Sequence, residues 1–492
     1  MNSNYMILLP VLLPVIAGLL IPVIKPLNNR NARNYYVIGI IALTGIFTVF
    51  VASLGDIHLS LWKMTDSLEI YFKVDGMGRL FAVLTAAMWL MSAIFSKEYM
   101  KHEHDESRYF AFFVSTLGVL VGLCFSGNLI TMYVFYEFMT LLTLPLVLHE
   151  LTKGSIAAGV KYLFYSMTGA FLGLGGFFFL SQYADTLTFT EGGVLNMTKV
   201  AGHEGLLLAV VFFMILGFGS KAGMLPLHGW LPTAHPVAPA PASAVLSGNI
   251  TKMGVLAIIR VVYYIVGADF IRGTWVQYAW MGVALATVFM GSMLAYKEQI
   301  LKKRLAYSTV SQVSYVLFGL SLLNVTGMTG ALLHVVFHSV VKNALFLTAG
   351  AIIYKTGKTK VSELTGIGKE MPVMMWCFTL VSVTLVGIPP TSAFISKWYL
   401  GLGSLETGIS VFSWLGPVVL LVSALLTAGY LITISIKGFF PGADYDYSSL
   451  TKQEPKAVMV VPVVILTVVA VVCGMFPNSL ISFMSSLAGT IL

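Results

Sequence analysis

GFGSKAGMLPLHGWLPTAHPVAPAPASAVLSGNITK, residues Gly217 to Lys252, is the stretch on which the reading of this chain turns. An apolar run that begins near Leu206 meets Lys221, passes His228 and five prolines (Pro226, Pro232, Pro236, Pro239 and Pro241), and returns to apolar sequence carrying Lys252. Proline removes a backbone donor and clashes with the preceding turn, so no continuous helix crosses this stretch. The pattern predicts a broken membrane helix with charge at the break. Unpaired backbone and a lysine at membrane depth are tolerated where they are buried in protein or line a hydrated cavity. A short loop with Lys221 snorkelling from a helix end is the simpler alternative, and the acids weigh against it. No Asp or Glu occurs from Gly205 to Ala268, so any counter-charge has to come from another helix.

Composition sets the class. With 57% hydrophobic and 10% charged residues the chain is an all-α polytopic membrane protein. A spanning helix needs roughly twenty apolar residues. Such runs occur near 5–25, 35–54, 77–97, 109–127, 129–149, 157–182, 205–222, 243–266, 275–296, 304–323, 327–354, 372–400, 412–437 and 457–476, about fourteen in all. The first reads as a retained helix, since no basic residue precedes it and no small-residue cleavage site follows. Cys124, Cys377 and Cys473 fall inside spans as packing residues, and no cofactor or metal-ligand motif is present.

Loops after odd-numbered runs hold 18 Lys and Arg, those after even-numbered runs five (Lys63, Lys73, Arg79, Lys199 and Arg272). The positive-inside rule then places both termini on the outer face of the cell's inner (plasma) membrane. The net charge of +8 is mostly this asymmetry and makes no case for nucleic acid. Six cations, Lys161, Lys221, Lys252, Arg260, Lys342 and Lys397, lie inside or at the edge of apolar runs.

Between the second and third runs, HLSLWKMTDSLEIYFKVDG alternates too briefly to span and predicts an external hairpin. Ser-Gly-Asn around Gly127 predicts a tight turn between antiparallel fourth and fifth helices. The fifth run buries Glu137, at least two turns from either end, which must be protonated or paired. Lys161 opens the sixth run near its edge, where snorkelling is a fair alternative. After the ninth run, LAYSTVSQVSY supplies hydroxyls and an amide to an interior hydrogen-bond path. In the eleventh, His334, His338 and Lys342 stand at i, i+4 and i+8, one face of a helix over two turns. Such a ladder of titratable groups suits proton transfer by short hops. Two histidines four apart can also hold zinc, but no third ligand accompanies them. The twelfth run breaks at Gly387, Pro389 and Pro390 and then presents Lys397, repeating the theme of the seventh. Two interrupted helices at corresponding places predict inverted repeats of five helices each. The expected organisation is an N-terminal three-helix scaffold with hairpin (1–108), a first repeat (109–266), a second (275–437), and a C-terminal helix and tail (457–492).

YEFM around Glu137, KAGMLPLHGWLPTAHPVAPAPASAVLSG, KKRLAYSTVSQVSY, HVVFHSVVKNALFLTAG and GIPPTSAFISKW, in this order, resemble the antiporter-like family. That family comprises the proton-translocating membrane subunits of respiratory complex I, the large subunits of Mrp-type Na+/H+ antiporters and their relatives in membrane-bound hydrogenases. The resemblance implies that Glu137 and Lys221 form an ion pair, that Lys252 is the central relay, and that Lys342 and Lys397 continue the path, with His334 and His338 on the eleventh helix. Tyr136 stands where many members have Trp, and Ala393 where many have Gly. Lys397 occupies a position that is Glu in one complex I subunit type. The chain looks most like the D-type large component of an Mrp system or its counterpart in a hydrogenase or respiratory complex.

The function expected is translocation of H+, with Na+/H+ antiport as its wider form, by a subunit that works beside other integral membrane subunits. No catalytic centre of its own is expected, although the parent complex can be a quinone oxidoreductase or hydrogenase. An independent inverted-repeat solute transporter is the alternative.

Overall fold

The structure, a computed structural model, describes residues 3–65, 68–443, 445–446 and 451–492. Its order is α1 (Leu8–Leu20), α2 (Arg30–Ser53), β1 (His58–Lys63), β2 (Glu69–Lys73), α3 (Gly76–Tyr99), α4 (Glu106–Cys124), α5 (Leu129–Val147), α6 (Lys153–Tyr183), α7 (Glu204–Ala222) and α8 (Leu231–Val237). There follow α9 (Ala240–Val266), α10 (Trp275–Lys297), α11 (Leu301–Ser321), α12 (Val325–Thr356), α13 (Pro372–Val386), α14 (Ser392–Glu406), α15 (Ser410–Phe439), α16 (Ala457–Met475) and α17 (Asn478–Ile491), with short helical turns between.

Among the described residues eleven helices are long and apolar enough to cross a membrane. Three runs of the sequence fall outside that set for physical reasons. The first gives a shorter helix, Asn4–Leu20; α11 opens on Lys302, Lys303 and Arg304 and carries a polar interior face; the twelfth is cut into α13 and α14. The tail after the fourteenth run is itself a helix, α17, whose Leu487 packs against Gly76 at the start of α3. The hairpin forms as expected, β1 pairing antiparallel with β2; Asp66 and Ser67 at its tip lie outside the described residues, as do Asp444 and residues 447–450 of the last loop.

Connections segregate to two ends. At one, the amide of Lys73 donates to Phe125 O at 2.8 Å, that of Phe189 to Gly127 O at 2.9 Å and that of Val194 to Ile265 O at 2.8 Å, while Arg272 reaches Leu323 O at 2.5 Å. At the other, Arg108 bonds His149 O at 2.6 Å, Lys302 bonds Ala238 O at 2.5 Å, and the amide of Gly366 bonds Lys437 O at 3.0 Å. Loops after even runs thus share one end and the basic loops after odd runs share the other.

Both interrupted helices end the same way. α7 stops at Gly223 with φ of 81° and α13 at Gly387 with φ of 87°, left-handed positions where a side chain is strained. The middle of the molecule is α9, buried along its whole length, with two π-helical segments at Leu246–Ile250 and Arg260–Val266 flanking the turn that carries Lys252. Such widened turns recur at functional sites. Gly254 lets α9 approach α7 closely: a Cβ there would stand 2.6 Å from Phe218 O and 3.1 Å from Lys221 Cβ.

Candidate functional site: a buried line of lysines and histidines

Lys221, His334 and Lys342 have no exposed surface, and Lys252 and His338 have 1% each, so every polar atom they carry must be satisfied inside the protein. An ammonium has three donors. Those of Lys221 are all used, by Thr140 Oγ1 of α5 at 3.0 Å and by Tyr162 OH and Ser166 Oγ of α6, each at 2.9 Å. The rings of Tyr162 at 4.4 Å, Tyr136 at 5.8 Å and Trp230 at 5.9 Å surround the charge. Trp230, in the break, also donates to Ser220 O at 2.8 Å and fixes the break against α7.

The expected Glu137–Lys221 ion pair is not made here. Glu137 is half-buried, and its Oε1 accepts from Tyr133 OH at 2.8 Å, one turn back on α5. Thr140, one turn forward, reaches the lysine in its place, and three hydroxyls leave the ammonium no donor to spare. Lys161 and His228, both half-buried, lie at this same break. The Lys161 stem passes beside Gly229, its ammonium is 6.0 Å from the Tyr165 ring, and His228 Nδ1 has no partner among the described residues.

The second group is a line. Lys252 Nζ donates to Ser247 O at 2.7 Å and shares a 2.6 Å hydrogen bond with His338 Nδ1. Two basic nitrogens at that distance need one proton between them, so proton position here is a choice between Lys252 and His338. The His338 ring stacks on His334, centroids 6.0 Å apart. His334 is held by Ser396 Oγ at Nδ1, 2.8 Å, and by Gln312 Oε1 at Nε2, 3.2 Å. Tyr315 stacks on His334 at 5.4 Å, and the Lys397 ammonium stands 5.1 Å from the same ring. Lys397 is half-buried and donates to Leu385 O at 2.7 Å and Val386 O at 2.9 Å, the orphan carbonyls where α13 breaks. Lys342 turns aside to α11, bonding Leu305 O at 3.1 Å and Ser308 Oγ at 2.7 Å; Tyr430 OH donates to Ser308 at 2.8 Å.

The residues of the eleventh run therefore do lie on one face, but with different partners: His338 toward α9, His334 toward α11 and α14, Lys342 toward α11 alone. Chemically the line is a row of groups that gain and lose protons, spaced by hydroxyls and an amide.

A family model described as NADH:quinone oxidoreductase/Mrp antiporter, transmembrane, matches residues 126–427, which hold both breaks and the whole line. The chain belongs to this family. It is similar to an NADH-quinone oxidoreductase subunit of Desulforudis audaxviator, 32% identical over 86% of this chain and 85% of that protein. A Na(+)/H(+) antiporter subunit of Bacillus subtilis is 28% identical over 89% of this chain and 87% of its own. A solved structure of the membrane-bound sulfane sulfur reductase, an archaeal respiratory membrane complex, contains a chain of the same fold: TM-score 0.86, 21% identity, 99% of this chain and 98% of that one covered.

Two features of this family member escaped the sequence reading. Arg260 makes a two-pronged ion pair with Asp75, Nη2 to Oδ1 at 2.8 Å and Nη1 to Oδ2, and its guanidinium lies over the rings of Phe189 at 4.9 Å and Tyr264 at 4.6 Å. Asp75 also caps α3 by accepting from Gly78 N at 2.8 Å. Arg260 was visible as a cation in an apolar run, but its partner lies 185 residues away, in what reads as a loop. The other is His235, fully buried within the quoted break.

Proposed function

We propose that this chain is an ion-translocating subunit of a multisubunit membrane complex of the Mrp antiporter, complex I or hydrogenase kind, and that protons move through Lys221, Lys252, His338, His334 and Lys397, with Glu137 and Lys342 as side stations and Lys161 and His228 at the first break. The observation that carries this is the 2.6 Å contact between the buried side chains of Lys252 and His338. A lysine kept without a carboxylate partner in such a place serves no packing purpose that leucine would not serve better. The relatives, subunits of oxidoreductase and antiporter systems, support a role beside other integral membrane subunits rather than as an independent solute transporter. Two five-helix repeats, 109–266 and 275–437, in opposite orientation would put the two breaks at matching depths. The clustering of basic loops at one end supports the orientation with both termini on the outer face of the plasma membrane.

The test is proton uptake by inverted vesicles holding the intact complex, with and without Na+. Lys252→Arg should be nearly as damaging as Lys252→Ala, because guanidinium does not release a proton at working pH. Full transport by an assembled Lys252→Arg complex overturns the relay. Dependence of uptake on Na+ decides whether sodium is the exchanged ion.

A further inference from the structure

At the end of the molecule that gathers the basic loops, a cavity of about 300 Å³ opens between the α3–α4 and α5–α6 connections, lined by Glu103, Arg108, His149 and Glu150 among others. Glu150 is exposed at its mouth and Glu103 is half-buried. His149 is 3% exposed, its ring packed edge-on against Tyr109. Burial and the nearby Arg108 push its pKa down to about 4, so the ring is a neutral lining group. Burial, reinforced by Glu150, raises the Glu103 carboxyl above the usual range and favours its holding a proton.

Behind the cavity stands Lys302, buried at the start of α11 and within electrostatic reach of Glu150 and Glu103. Its ammonium spends two donors on Ala238 O at 2.5 Å and Pro236 O at 3.1 Å, leaving one. Those carbonyls immediately follow His235. The His235 ring is fully buried, has no partner on either nitrogen among the described residues, and stacks on Phe346 at 4.7 Å. Phe346 is one turn from Lys342 on α12, and Lys302, Lys342 and Lys252 all lie within electrostatic reach of the imidazole, with no acid among them. A residue that only filled this space would be phenylalanine or leucine, since burying two polar nitrogens is costly.

We propose that Glu150, Glu103, Lys302 and His235 form a proton inlet from this loop face to Lys342 and Lys252, each group deeper than the one before. This rests on the proton-translocation reading above. A proton taken from water by a Glu103 or Glu150 carboxylate passes to the neutral amine of Lys302. His235 then accepts it on one ring nitrogen and releases the proton of the other to the neutral amine of Lys342 or Lys252; each hop moves one proton, and the ring ends neutral.

The experiment uses the intact complex in vesicles, with assembly read on a native gel. In assembled complexes His235→Ala should cut proton uptake at least tenfold, and added imidazole should restore part of it, which a packing role would not allow. Glu103→Gln combined with Glu150→Gln, at the loop face and free of folding risk in the bundle, should slow uptake severalfold, with recovery as pH on that face is lowered. Lys252→Ala is the control. Loss of uptake in the control, with wild-type uptake by the loop-face double variant or by assembled His235→Ala, overturns the inlet and leaves translocation standing. Wild-type uptake by the control overturns both.

Discussion

The two breaks share a geometry and treat their lysines in opposite ways. At the first, Lys221 precedes the left-handed glycine, is fully buried, and gives its three donors to hydroxyls on two other helices. At the second, Lys397 follows the glycine on α14, is half-buried, and folds back to cap the carbonyls of the helix that has just ended. A cation at a helix C-terminus is favoured by the peptide dipoles as well as by the hydrogen bonds. Lys221 therefore reports on how α5 and α6 sit against α7, whereas Lys397 reports on the break itself. Beside Lys397 lies a mostly apolar cavity of about 310 Å³, lined chiefly by α14 and α15. Lys221, with no exposed surface, is closed in on every side by its hydroxyls and rings.

The comparison is tested hardest by removing the cations. Lys221→Ala leaves three buried hydroxyls without their donor and should abolish uptake, by about a hundredfold or more, with a loss of stability on the order of 3 kcal/mol. Lys397→Ala, whose carbonyls can recruit water from the cavity, should lower uptake while leaving the melting temperature of the complex close to wild type. Equal thermal losses for the two variants would erase the distinction.

Next come the glycines. Alanine at either left-handed position costs about 1–2 kcal/mol in backbone strain. At Gly387 the new Cβ would stand 3.0 Å from Lys397 Cδ, and at Gly223 it would press into Leu231. Gly387→Ala should thus depress uptake about tenfold through its lysine, and Gly223→Ala should act mainly on stability; uptake and thermal melts measured on the same preparations separate the two.

Smaller still is the loss of one ring hydroxyl. Tyr162→Phe removes one acceptor from Lys221, about 1.5–3 kcal/mol for a hydrogen bond to a charged group. Tyr315→Phe keeps the ring that touches Lys397 and His334 and loses the hydroxyl's bonding on α15, to Leu420 O at 2.9 Å and toward Ser423. Uptake should fall severalfold in the first and little in the second. Smallest is Glu137→Gln: with no direct ion pair to break, the complex should assemble and melt as wild type, and a residual transport rate measures how far Glu137 acts on Lys221 at a distance. A destabilised Glu137→Gln complex would mean that the pair does form in the working state.

Much of this was legible in local sequence, because local rules produced it. Five prolines forbid a continuous helix, positive-φ glycines end one, and i, i+4, i+8 spacing puts His334, His338 and Lys342 on one face whatever surrounds them. Partners were not legible in the same way. Whether Lys221 meets Glu137 or Thr140 depends on the rotation and depth of α5 against α7, which no spacing within either helix fixes. The Asp75–Arg260 pair joins an N-cap to a distant helix, and a capping aspartate at a loop edge gives no hint that it is buried. His235 stood in plain view among prolines, but its isolation is a property of α11 and α12 packed over it. The C-terminal α17 reads as a tail because its apolar residues form a stripe too short to span.

The lipid-free position of α9 has a consequence for how the protein is made. A ribosome delivers helices to the bilayer one after another, and α9 brings Lys252 and Arg260 with it. Asp75 is synthesised first, so Arg260 arrives to find its anion waiting. Lys252 has no such welcome: His338 lies 86 residues later, on a helix not yet made. Until α12 emerges, the nascent chain holds an amine at mid-membrane whose side-chain nitrogen partner does not exist, and a chain cut short before residue 325 should be recognised as unfinished by the membrane's quality control.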